Sequence, residues 1–148
     1  MSGTALLDVN VLVALFNPDH VHHEVAHDWF ADNRARGWAT CAITENGFVR
    51  ILAKAGARAS LRSVEILSRL RSFCATDDHV FWADAVSLTN SAVFNLSFVQ
   101  GHRQVTDIYL LGLAKFMSGC LITFDRAIPL RSVVGATAAT IQVIAPAE

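Results

Sequence analysis

Disulfide chemistry has little to work with in this chain. It has three cysteines in 148 residues, Cys41, Cys74 and Cys120, and none belongs to a CxxC pair. An odd set without paired spacing argues against a disulfide framework and suits a reducing cytoplasm. Charge is also sparse and nearly balanced: 17% of residues are charged and the formal net charge is −1, so no global basic excess advertises a nucleic-acid partner. No long apolar run is present. The longest near the start, Ala5 to Phe16, is interrupted by Asp8 and Asn10 and falls well short of the ~20 residues a membrane span needs. Met1-Ser2-Gly3 carries no basic side chain, so neither a signal peptide nor a membrane anchor is expected and a cytoplasmic protein is. A Gly-rich Walker-type phosphate loop, a Gly-x-Ser-x-Gly elbow and the Asp-x-Asp-x-Thr phosphatase pattern are all missing, which removes three common routes to catalysis.

What is present is apolar sequence, 53% of the chain, enough for one sizeable core over residues 1–148. Strand-like and helix-like segments alternate, which predicts an α/β fold with a mainly parallel sheet of about five strands. Strands are expected at Thr4–Leu7, Trp38–Ala42, His79–Trp82, Cys120–Thr123 and Thr140–Ile144, with Pro146 beyond the last. Helices are expected over Val9–Phe16, His22–Arg34, Glu45–Ala55, Ser60–Phe73 and Asp107–Met117. Thr44 and Thr106 read as N-caps, and Gly56 and Gly119 as stops. Leu61, Val64, Leu67 and Leu70 are expected to face inward, and Ala83–Gln104 reads as a short helix and a loop.

Four acids stand in apolar surroundings: Asp8 after Leu6-Leu7, Glu45 after Ile43-Thr44, Asp107 before Ile108, and Asp125 after Phe124. A carboxylate drawn toward a core costs several kcal/mol unless it is paired, protonated or bound to a cation. Ligands of an open parallel sheet bind at the carboxyl ends of its strands. Asp8, Glu45 and Asp125 follow strands. Asp107 opens a crossover helix, whose N-terminus lies at that same edge. The topology therefore places all four on one side of the sheet, and if they converge, Mg²⁺ or Mn²⁺ suits the all-oxygen donor set.

Leu7-Asp8-Val9-Asn10, Thr44-Glu45, the run Gly101-His102-Arg103-Gln104-Val105-Thr106-Asp107-Ile108-Tyr109-Leu110-Leu111, and Thr123-Phe124-Asp125-Arg126 together resemble the motifs of a PIN-domain ribonuclease. The specific group is the VapC-type toxins of bacterial VapBC toxin–antitoxin pairs. The order and spacing match across about 120 residues, and the third and fourth motifs carry most of the specificity. The resemblance implies a three-layer α/β/α fold and Mg²⁺- or Mn²⁺-dependent endoribonuclease activity. It also implies RNA targets such as transfer or ribosomal RNA, a VapB-type antitoxin that silences the enzyme, and a homodimer. In this reading Asp8, Asp107 and Asp125 hold the metal, directly or through water, and Glu45 completes the catalytic set or orients the attacking water.

Around these acids, Asn10 either bonds a site carboxylate or caps its helix. Thr106 caps and orients Asp107, and Thr123 either donates near Asp125 or only packs. Arg50 and Lys54 belong to a basic run with Arg58, Arg62, Arg69 and Arg71 in which Glu65 is the only acid. A positive face there would meet RNA phosphates or an acidic antitoxin tail, and Arg126 is either an RNA contact or a surface ion pair. His20, His22, His23 and His27 read as turn and helix surface, and Trp29, Trp38 and Trp82 as core or dimer contacts. Two other readings stay open: a different Mg²⁺ nuclease acting in RNA maturation or on structured DNA, and a non-catalytic α/β interaction module whose acids are helix caps.

Overall fold

The computed structural model describes residues 3–55 and 62–145. The expected helix stop at Gly56, the expected start at Ser60 with Leu61, and Arg58 and Pro146 lie outside them. In chain order the elements are β1 (Ala5–Leu7), α1 (Val9–Phe16), α2 (His23–Asn33), β2 (Trp38–Cys41), α3 (Ala42–Ala55), α4 (Ser63–Cys74), β3 (His79–Trp82), α5 (Val105–Phe116), β4 (Cys120–Thr123) and β5 (Ile141–Val143). All five strands pair in parallel, in the order β3-β2-β1-β4-β5.

Strand side chains alternate between faces, and this sorts the core into two halves. Ala5, Leu7, Trp38, Cys120 and Ile122 join residues of α1 to α4 on one face. Leu6, Ala39, Cys41 and Leu121 join α5 and Val86, Phe94, Ile128 and Val133 on the other. Helices thus cover both faces of the sheet in a three-layer α/β/α arrangement. Gly112 lets α5 lie against Phe94, because a Cβ there would collide with that ring. Among the described residues no helix is long and apolar enough to cross a membrane.

Several boundaries depart from expectation for identifiable reasons. Helix α3 begins at Ala42, three residues early. Thr44 is not its cap but sits inside the first turn, where its hydroxyl accepts from the Cys41 N–H at 2.9 Å, the reach-back half of a capping box. Helix α5 begins at Val105 with Gln104 at the cap position, so Thr106 lies in the first turn rather than capping. Ser118 takes the left-handed conformation past α5 (φ 56°). Gly119 is required for space instead, since a side chain would strike the Thr4 carbonyl and the Trp82 ring. In α4, Leu70 is buried as expected, but Ile66 is buried beside it in place of Val64 and Leu67, which are 61% and 50% exposed. Between Ala83 and Gln104 no α-helix forms; short turns are pinned by the Phe94–Val133 bridge and by Asn95 N–H donating to the Ser132 carbonyl at 2.9 Å.

Candidate active site

The strand order fixes where a ligand can sit. From β1 the sheet grows one way through β2 and β3 and the other way through β4 and β5, so the crevice opens at the carboxyl ends of β1 and β4. Asp8 follows β1 directly, and its backbone N–H extends the ladder by donating to the Ile122 carbonyl at 3.0 Å. It occupies the N-cap position of α1 with extended backbone, yet its side chain makes no capping bond. Instead its carboxylate accepts the Thr123 hydroxyl at 2.7 Å. Asp8 is 4% exposed and Thr123 is fully buried. Burial pushes the Asp8 carboxyl up, Thr123 and the Val9 amide pull it down, and the Asp125 charge adds to the rise.

The Thr123 hydroxyl serves two partners, also accepting from the Asp125 N–H at 3.1 Å. Asp125 in turn is held in its turn by accepting from the Ala127 N–H at 2.8 Å. Asp107, in the first turn of α5, is pushed up to about 7 by burial, by the charges of Asp8 and Asp125, and by a hydrogen bond to Asp125. Like charges held close together disfavour the ionised form of Asp107. The structure thus brings Asp8, Asp107 and Asp125 together from three distant segments. The donor set is all carboxylate oxygen, which fits a hard divalent cation.

A cavity of about 830 Å³ opens over Asp8 and Asp107. Asn10 and Thr106 line it, and α3 forms its opposite wall through Ile43, Asn46, Gly47, Arg50 and Lys54. Asn10 is the second residue of α1 and therefore not its cap. Arg50 and Lys54 fall where the basic run suggested, whereas Arg126 is exposed and is not among the lining residues. Arg62 pairs with Glu65 at 3.3 Å. Asn46 and Arg103 also line the cavity and were not anticipated. The signal for Asn46 was the helical stripe Ile43, Asn46, Arg50, Lys54; Arg103 was legible only through its proximity to Asp107.

Glu45 is not among the residues that line the cavity over Asp8 and Asp107. It is one helical position from Asn46, about 100° around α3, and its carboxylate accepts the Thr40 hydroxyl at 2.6 Å. That hydroxyl also contacts His79 Nε2 at 2.8 Å. His23 Nδ1 and His27 Nε2 contact the Ala14 and Leu15 carbonyls at 2.6 and 2.7 Å, while His20 and His22, in the turn before α2, pack on Phe124, the buried His22 Nδ1 having no hydrogen-bond partner among the described residues. Trp29, Trp38 and Trp82 are buried.

Comparison with known proteins shows the family. The PIN-domain family matches residues 5–133. The chain is 44% identical over 133 residues to Ribonuclease VapC44 of Mycobacterium tuberculosis, covering 90% of this chain and 94% of that protein. It is 42% identical over 126 residues to Ribonuclease VapC39 of the same species, covering 84% and 91%. Over 125 residues it is 42% identical to Ribonuclease VapC38, covering 84% and 86%.

Proposed function

Because this chain belongs to the PIN-domain family of VapC-type ribonucleases, we propose that it is the endoribonuclease toxin of a type II toxin–antitoxin pair, cutting RNA at the aspartate cluster. The observation that carries this reading is the buried Asp8 carboxylate held by Thr123 beside the hydrogen-bonded Asp107 and Asp125. A helix-cap explanation is poor for Asp8, which stands at the cap position and bonds elsewhere.

In this proposal Asp8, Asp107 and Asp125 hold Mg²⁺ or Mn²⁺. When bound, such an ion stabilises charge on the phosphate and acidifies a water. The protein's own groups do the rest. Thr123 fixes the Asp8 carboxylate and the turn bearing Asp125. Arg50, Lys54 and Arg103 supply positive charge on the cavity wall for the phosphates flanking the cut. Asn10, Asn46 and Thr106 offer hydrogen bonds without adding to the negative charge. The substrate is a cytoplasmic RNA of the transfer or ribosomal class. A VapB-type antitoxin neutralises the enzyme, and the toxin is a homodimer; exposed Ile51, Val64 and Leu67 support a covered apolar surface on α3 and α4.

The test is cleavage of total cellular RNA by the purified chain with Mn²⁺ or Mg²⁺. Discrete fragments that vanish with EDTA and with Asp8→Asn are expected. A folded wild-type protein that neither cleaves nor binds Mn²⁺ by calorimetry would overturn the assignment in favour of an interaction module.

A further inference from the structure

We propose that Glu45, Cys74 and His79 form a second cation site, separate from the aspartates, for a thiolate-preferring divalent ion of the zinc class. The three residues come from the first turn of α3, the last residue of α4 and the first residue of β3. One carboxylate oxygen, one sulfur and one imidazole nitrogen lie within 4.8 Å of one another. Among the described residues this is the one group of three or more His, Cys, Asp and Glu gathered so closely. Zinc bonds of about 2.0–2.3 Å in tetrahedral geometry place ligand atoms roughly 3.5 Å apart, so a cluster within 4.8 Å needs to close by at most about 1.3 Å.

The convergence is built into the fold. The Thr40 hydroxyl, fully buried, is the common centre: it donates to Glu45 at 2.6 Å and contacts His79 Nε2 at 2.8 Å, with the Cys74 sulfur gathered beside them. Protons thus hold together donor atoms that a cation would otherwise gather. The His79 ring lies against Trp38, with centroids 4.5 Å apart, and Trp38 is itself anchored by its indole N–H on Asp78 at 3.0 Å. Glu45, Cys74 and His79 are each half-buried, so solvent reaches a site that is nevertheless shaped.

The donor types decide which ion binds. Thiolate and imidazole favour zinc and cobalt over magnesium, while the aspartates favour the hard ion. The chain would therefore sort two cations between two sites. Binding at the second expels the Cys74 proton and leaves the fourth position to water or the Thr40 hydroxyl. It also holds Glu45 on the β3 side of α3.

Cobalt(II) titrated into the full chain, freed of metal beforehand, tests the site without reference to activity. The expected result is a sulfur-to-cobalt charge-transfer band with intense visible bands, saturating at one ion per chain and abolished by zinc. The band should be lost in Cys74→Ser and in His79→Ala and kept in Asp107→Asn. Circular dichroism establishes that the variants fold. Should Cys74→Ser unfold, alkylation of Cys74 in the wild-type chain, read by peptide mass spectrometry, replaces it: zinc should suppress the modification. Absence of the charge-transfer band in wild type, its persistence in folded Cys74→Ser, or alkylation of Cys74 unaffected by zinc would overturn the proposal.

Discussion

Asp107 couples stability to function through one proton. Its carboxyl is pushed up to about 7 in the fold, whereas an unfolded aspartate titrates near ~3.9. Between those values the folded chain binds more protons than the unfolded chain, so stability falls as pH rises from about 4 to about 7 and stays reduced above that. Asp107→Asn removes this penalty. The metal-free variant is expected to melt about 2–4 °C above wild type at pH 8, equivalent to ~1 kcal/mol after discounting for partial exposure. The gap should shrink toward pH 4, and RNA cleavage should be lost. Paired thermal melts at the two pH values check this, and coincident melts at pH 8 would contradict it. Thr123→Val is a complementary case. It keeps the shape but leaves the buried Asp8 carboxylate without its donor and the Asp125 N–H without its acceptor. The expected cost is about 1–3 kcal/mol in denaturant unfolding, with a fall in single-turnover cleavage larger than any loss of RNA affinity.

At the scale of elements, α3 is the decisive helix, because its phase assigns each residue a surface. The stripe of Ile43, Asn46, Arg50 and Lys54 faces the cavity, while Glu45 turns toward Thr40 and His79. Arg50→Ala should therefore weaken binding of metal-free protein to RNA and reduce the slope of log affinity against log salt by about 1. Arg71→Ala, on the exposed side of α4, should leave that slope unchanged; equal slopes for Arg50→Ala and wild type would sink the assignment. The same helix marks the limit of what could be read beforehand. That Glu45 lies near the start of a helix was legible from Thr44-Glu45, but the start at Ala42 was not. In α4 the inward Leu70 was legible, but Val64 and Leu67 competed with Ile66 for the place beside it, and only packing against α3 selects between them. The segment 83–104 was opaque because its order comes from contacts with residues near Val133, about which local propensity says nothing.

For the molecule as a whole, the apolar runs at Ala5–Leu7, Trp38–Cys41 and Cys120–Thr123 were legible as buried parallel strands, and the edge rule then brought the acids after β1 and β4 together with the acid opening α5. The partner of Asp8 was not legible, because Thr123 lies 115 residues away and only the strand order makes them neighbours. That order also sets a schedule. β1 pairs with β2 and with β4, and the second pairing must wait while the ribosome makes everything between. Until β4 has emerged, the nascent chain has Asp8 without its hydroxyl partner and lacks Asp125 altogether. The cutting centre of an RNA-cleaving chain therefore cannot assemble until β4 and the turn after it have been made and threaded beside β1.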